Sequence, residues 1–355
     1  MKGLILSGGK GTRLRPITYT RAKQLVPVAN KPVLFYGLEA LVAAGIREIG
    51  IVVGDTQAEI RAAVGDGSRW GAQVTYIEQD APRGLAHAVL ISEAFIGDTP
   101  FVIYLGDNLL NRGIGQFVEE FGRERPAAQI LLARVPDPEM FGVAELNDGR
   151  VVRLVEKPKE PKSDLALVGV YMFGSAIFDA VKAIKPSFRN ELEITDAIQH
   201  LIDQGLSVRP HIVEGWWKDT GKLEDMLEAN RLILETMERR VEGTIDAESR
   251  IEGKVVIEAG ATVERSVVRG PVIIGAGAKI SAAYIGPFTS IGERVEIKET
   301  EIEHSIVLEG AVISGLAARI EDSLIGRNVS IYRLPVRPSA YRFMLGDNSE
   351  VGIRW

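Results

Sequence analysis

From position 251 the chain falls into a six-residue beat. IEGKVV, IEAGAT, VERSVV, IGAGAK, IGPFTS, IGERVE, IEHSIV, LEGAVI and IEDSLI each open on Ile, Leu or Val, often followed by Gly or Glu. No 3.6-residue period runs through this stretch and β-branched residues dominate it, so a helical reading fails. A hexapeptide period is that of a parallel β-helix, in which each aliphatic side chain points into a triangular core. One coil cannot bury its own face, so several must stack, and about five fit between Thr244 and Ile331. The final stretch, YRFMLGDNSEVGIRW (341–355), mixes aromatic and charged residues and reads as a cap on the open end or an interface segment.

Residues 1–240 alternate strand and helix patterns instead. An apolar strand (2–7) opens the chain. Asn30 reads as an N-cap, Pro32 as a first-turn residue, and Gly45 as the end of the apolar run VLFYGLEALVAAG. GIVVG is a second strand, 57–64 a polar helix, VTYIEQ a third strand, 84–95 a helix, and PFVIYLGDN a fourth strand. Residues 223–240 carry a helical stripe that closes the domain. The alternation predicts a Rossmann-like, doubly wound α/β domain on a parallel sheet, followed by the β-helix from 241 to 355. Ligands in such sheets sit beyond the carboxyl ends of the strands. The glycine loop after the first strand, Gln79 and Asp107 all fall at such ends, so three segments converge on one crevice.

Composition narrows the ligand. A chain of 355 residues exceeds a typical single core. No apolar run approaches the ~20 residues of a membrane span, and a strand beginning at residue 2 leaves no room for a signal peptide. The absence of cysteine removes disulfides and thiolate metal sites and fits a reducing, cytoplasmic setting. A net charge of −6 argues against a nucleic-acid partner. A cationic loop inside an acidic chain suggests a small anionic ligand.

That loop is LILSGGKGTRLRPITYTRAKQLVPVANKP (4–32). Gly8, Gly9 and Gly11 allow backbone amides to wrap phosphate oxygens, and Arg13, Arg15 and Lys23 add cations. The P-loop spacing is not met, and Leu14 stands where the dinucleotide pattern needs its third glycine. What remains is G-G-x-G-T-R-L, then a lysine, then K-P. Elsewhere, L-G-D-N places Asp107 directly after a strand, where it is either a turn residue or a Mg²⁺ ligand. V-E-K-P places Glu156 and Lys157 at a strand end, as an ordinary surface ion pair or as contacts to a sugar phosphate.

These motifs, with E-Q-D-A-P-R-G, M-F-G-V-A-E, L-V-G-V-Y, E-L-E-I-T-D and W-W-K-D-T-G in order, resemble the sugar-1-phosphate nucleotidylyltransferases. The closest likeness is to the long-form glucose-1-phosphate thymidylyltransferases, which carry a left-handed β-helix. The resemblance implies that dTTP or UTP and glucose 1-phosphate become a nucleotide-sugar, dTDP-glucose first among the candidates, and pyrophosphate. It implies nucleotide contacts from Leu6, Gly8, Gly9, Gly11, Thr12, Arg13, Gln79, Gly84 and Asp107. Gly142, Glu156, Lys157, Val168 and Trp217 would hold the sugar phosphate. Arg13, Lys23 and Lys157 would be catalytic, with Mg²⁺ on Asp107 and Asp219, in a homo-oligomer. Phe141 replaces the tyrosine usual in short forms. His87 stands where they carry glutamine and is expected near the sugar pocket, with no proton role. Three rival readings remain: a UTP-using or broad-specificity enzyme, a second acyltransferase activity on the β-helix using His304, and a non-catalytic nucleotide-sugar sensor.

Overall fold

The computed structural model describes residues 1–9 and 11–334; the segment 341–355 lies outside them. The chain opens with β1 (Lys2–Leu6), a two-residue-strand hairpin of β2 (Pro27–Val28) and β3 (Lys31–Pro32), and α1 (Val33–Ala43). There follow β4 (Glu48–Val53), α2 (Gln57–Val64), β5 (Gln73–Glu78), α3 (Leu85–Ile91), α4 (Glu93–Ile96) and β6 (Phe101–Leu105). Next come β7 (Asn108–Leu110), α5 (Gly115–Glu124), β8 (Ala128–Arg134), β9 (Gly142–Asn147), β10 (Arg150–Glu156) and β11 (Leu165–Phe173). The first domain finishes with α6 (Ala176–Ala183), α7 (Ile194–Asp203), β12 (Val208–Ile212), β13 (Trp217–Asp219) and α8 (Leu223–Thr236).

One nine-stranded sheet runs β10-β9-β11-β6-β1-β4-β5, with β8 paired to β11 and β12 to β8. Strands β5, β4, β1 and β6 are mutually parallel, as the alternating pattern predicts. The sheet as a whole is mixed, because β11 joins β6, β8 and β9 antiparallel. β11 (LALVGVYMF) is buried at every position, so its continuous apolar run records two covered faces and says nothing of direction. Alternate residues of the central strands feed opposite cores. Leu4, Leu6, Phe101 and Ile103 belong to one, and Ile5, Val102 and Tyr104 to the other.

Three local expectations are corrected. Asn30 does not cap α1; it sits at the turn of the β2–β3 hairpin with φ +61, and its Nδ2 donates to the Ile291 carbonyl. The helix over 84–95 breaks at Ser92, whose Oγ donates to the Ala88 carbonyl and draws the backbone out of the helical ladder. The closing helix stops at Thr236, with Met237 extended.

The repeat region forms a parallel β-helix, its regular coils consistent with a left-handed one. Three ladders of parallel strands stack coil on coil, the first beginning at Arg240–Val241. Aliphatic residues stay in register down each ladder: Ile257, Ile274, Ile291 and Val307 on one face, and Val263, Ile280, Ile297 and Ile313 on the next. All eight are buried. The β-helix also packs on the first domain. Ile306, Leu308 and Leu324 meet Leu14, Ile17, Val26 and Val28, together with Met226 and Leu227 of α8. At this junction the fully buried Asn230 accepts from the Ala29 amide (2.9 Å) and Ser290 Oγ (2.6 Å) and donates to the Phe288 carbonyl (3.0 Å). The segment leading from the glycine loop to α1 is thus held on both sides.

Candidate active site

At the carboxyl ends of β1, β5 and β6 lies a cavity of about 390 Å³. Leu6, Gly8, Gly9, Gly11, Thr12, Arg13, Lys23, Gln79, Gly84, Asp107, Glu156 and Lys157, all expected from the sequence, line it. A second cavity of about 430 Å³ is lined by Gly142, Glu156, Lys157, Trp217 and Asp219. The two adjoin: Arg13, Glu156 and Lys157 line both. Val168 is the exception. Its side chain is buried in the core on β11, and its neighbour Gly169 lines the second cavity instead.

Asp107 and Asp219, far apart in sequence, meet because β7 pairs antiparallel with β13, placing Asp219 opposite Asn108. Thr220 locks the junction, its amide and hydroxyl both donating to the Asp107 carbonyl. Lys23 Nζ lies 2.5 Å from Asp107 Oδ2 and 3.8 Å from Asp219 Oδ1. Burial works against the Lys23 charge, but the two carboxylates outweigh it and hold the ammonium above its usual range. The single cation is shared unequally. Burial pushes the Asp107 carboxyl up, yet contact with Lys23 outweighs it and holds Asp107 low. Asp219, farther from the lysine, is pushed up to about 6 by burial and by the Asp107 charge. Its Oδ1 is buried with no hydrogen-bond partner among the described residues.

Two glycines answer to close approach. Gly84 has φ +102, and a Cβ there would stand 2.3 Å from the Leu192 carbonyl oxygen. A Cβ on Gly221, the glycine of D-T-G, would stand 2.7 Å from Arg13 Nη2, so the guanidinium lies directly across that backbone.

In the second cavity Glu156 accepts from Thr195 Oγ1 (3.3 Å) and pairs with Arg189 (3.4 Å). Burial, then the Glu193 carboxylate, raise its pKa. Phe141 makes an edge-on ring contact with Trp217, centroids 5.3 Å apart.

Sequence reasoning missed three residues here. Asn108 is 2 % exposed and ties the site together: Nδ2 donates to Asp107, and Oδ1 accepts from Trp217 Nε1 (2.6 Å) and the Gly169 amide (3.2 Å). Gln24 lines the first cavity with its Oε1 buried and, among the described residues, unpartnered. Arg189 gathers Glu156, Glu191 and Glu193; an arginine just ahead of E-L-E was the available signal. His87, expected near the sugar pocket, instead meets Gln79 (3.0 Å) at the first cavity. His304 sits at a β-helix corner with φ +42, its Nδ1 against Asp322 Oδ1.

The nucleotidyl transferase family matches residues 2–236, a span that contains the residues lining both cavities. The chain belongs to that family. A glucose-1-phosphate thymidylyltransferase of Streptomyces antibioticus is 59 % identical over 357 residues, covering 100 % of both chains. A solved Bacillus anthracis structure in complex with a sucrose aligns with a TM-score of 0.62 at 39 % identity, covering 65 % of this chain and 94 % of that one. The structure of a UDP-glucose pyrophosphorylase complexed with UDP-glucose aligns with a TM-score of 0.59 at 26 % identity, covering 66 % and 98 %. No described helix is long and apolar enough to cross a membrane.

Proposed function

We propose that the protein joins a pyrimidine nucleoside triphosphate, dTTP before UTP, to glucose 1-phosphate, releasing pyrophosphate and a nucleotide-sugar. The observation that carries this reading is the meeting of two cavities at Arg13, Glu156 and Lys157. One has the glycine loop expected of a triphosphate site, and the other is walled by carboxylate, indole and lysine groups suited to a sugar phosphate. The full-length relative named for the same activity supports it.

The attacking group is the sugar's own phosphate oxygen, anionic at neutral pH, so no general base is needed. The residues must align it with the α-phosphorus and screen the accumulated negative charge. Lys157 faces both cavities and holds the incoming phosphate toward the nucleotide. Arg13, laid across Gly221, and Lys23 hold the triphosphate and the departing pyrophosphate. Glu156, with Thr195 and Arg189 as its partners, accepts from sugar hydroxyls.

Among the described residues no group of three or more His, Cys, Asp or Glu could hold a metal alone. Mg²⁺ asks for less, taking one or two carboxylates and completing its shell with substrate phosphates and water. Asp107 and Asp219 fit that demand, and the orphaned Asp219 Oδ1 is the atom a cation would satisfy. Bound there, Mg²⁺ supplies Lewis-acid neutralisation of charge on the triphosphate. The chain divides at 240, and the β-helix is an assembly and support module for a cytoplasmic homo-oligomer. Turnover of dTTP and UTP against a panel of sugar 1-phosphates tests the substrate assignment. Faster turnover of dTTP with glucose 1-phosphate than of the other pairs is expected, and a preference for a purine triphosphate would overturn it.

A further inference from the structure

Gln79 leaves the end of β5 with both hydrogens of its amide committed. Nε2 lies 3.3 Å from the Gly84 carbonyl oxygen and 3.0 Å from His87 Nδ1. A backbone carbonyl only accepts, so the amide atom facing it is the NH₂ group. The orientation of the amide thus follows from its partners, as it must for a group whose O and N look alike. His87 then has one role open to it: Nδ1 accepts the second hydrogen, and the ring is neutral with its proton on Nε2. Burial, with a smaller push from the Arg83 cation, holds His87 below the usual imidazole range, which keeps that form populated at neutral pH.

With both hydrogens used, Gln79 offers the cavity an acceptor alone. Its Oε1 faces the glycine loop, 3.1 Å from where a Cβ on Gly8 would stand. Leu6, Val52 and Leu85 supply apolar surface to the same cavity. A hydrogen-bonding group set in apolar walls discriminates strongly, because a mismatched ligand leaves a buried polar atom unpaired. Thymine and uracil carry N3–H, a donor. Cytosine carries a bare N3, which would confront the oxygen lone pairs.

Resting on the reading that this cavity takes a pyrimidine triphosphate, we propose that His87 is a positioning residue that locks Gln79 with its carbonyl oxygen toward the base, so that the site selects imide pyrimidines over cytosine. His87 acts through Gln79 and touches no reacting atom. A merely structural histidine on α3 would, on replacement, change stability or weaken all nucleotides alike.

The test is calorimetric binding of dTTP and dCTP to the full chain for the wild type, His87→Gln, His87→Lys and His87→Leu, with a thermal melt of each. A glutamine at 87 can accept from Gln79 through its own oxygen, so His87→Gln should keep the dTTP-over-dCTP preference. A lysine offers only donors and forces the Gln79 amide to turn. His87→Lys should therefore bind dTTP about tenfold more weakly, the size of one hydrogen bond, and lose most of its preference over dCTP. His87→Leu, which leaves the Gly84 carbonyl as the partner of the Gln79 amide hydrogens among the described residues, should fall between and serves if the lysine variant does not fold. An unchanged preference in the folded lysine or leucine variant, or equal weakening of both nucleotides, would overturn the assignment of His87. Wild-type protein that binds neither nucleotide would overturn the reading of the cavity, and this proposal with it.

Discussion

Replacing Asp219 by asparagine should stabilise the metal-free protein while removing its activity. Asp219 lies near a cation already claimed by its neighbour: Lys23 is 2.5 Å from Asp107 but 3.8 Å from Asp219. Burial and the Asp107 charge push Asp219 from 3.8 up to about 6. A carboxyl raised in this way contributes stability that is complete below pH 3.8 and is lost as the pH climbs through about 6. At pH 8 the folded chain thus holds a disfavoured charge. The gap between 3.8 and about 6, at about 1.4 kcal/mol per pH unit, makes the cost on the order of 3 kcal/mol. Asparagine keeps the shape and discards the charge. In EDTA at pH 8, Asp219→Asn should melt a few degrees above the wild type, and the gap should shrink by pH 5, where Asp219 is mostly protonated in the folded chain, and close below pH 3.8, where it is protonated in the unfolded chain as well. Turnover with Mg²⁺ should fall about a hundredfold or more, the scale of removing one electrostatic contact to the reacting phosphates. A variant melting below the wild type at pH 8, or a gap independent of pH, would refute the claim that Lys23 serves Asp107 first.

Other changes separate the parts of the molecule. Lys157→Ala should weaken glucose 1-phosphate binding far more than dTTP binding; equal losses in calorimetry would contradict its assignment to the incoming phosphate. Asn230→Ala removes three hydrogen bonds at the domain junction, two of them buried and one partly so, and at about 1 kcal/mol each it should lower stability by about 3 kcal/mol in urea denaturation. A loss below about 1 kcal/mol would show that the junction relaxes around the gap. Deleting the chain from Gly243 onward should lower the melting temperature and slow pyrophosphate release without abolishing it. The proposed site residues all precede the cut, but Leu14, Val26 and Val28 lose Ile306 and Leu308 beneath them. An unchanged melting temperature would contradict that support.

Periodicity explains what was legible from residues alone. The β-helix core could be read from Ile251 to Ile325 because the same face returns every coil, whatever lies next to it. The glycine loop, Gln79 and Asp107 could be placed because each follows an apolar strand, and strand ends converge in an α/β sheet. Asn108 stands in L-G-D-N, yet its role is invisible in the sequence, since its partners, Trp217 and Gly169, arrive through strand pairing far along the chain. The direction of β11 was equally hidden: a strand buried on both faces reads the same parallel or antiparallel. Asn30 carried a capping residue's chemistry, but the β2–β3 hairpin used it for a left-handed turn that reaches the β-helix. Val168 belonged to the right strand with its side chain on the opposite face, the usual error when period two is one residue out of register.

The central claim is a transfer between two bound phosphates, and it is tested most directly by mixing the protein with dTTP, glucose 1-phosphate and Mg²⁺ and measuring pyrophosphate and nucleotide-sugar together. Equimolar formation of both is expected, with neither product when the sugar phosphate or the metal is left out. Pyrophosphate released without glucose 1-phosphate would mean that water, not a sugar phosphate, attacks the nucleotide, and the two adjoining cavities would then need another explanation.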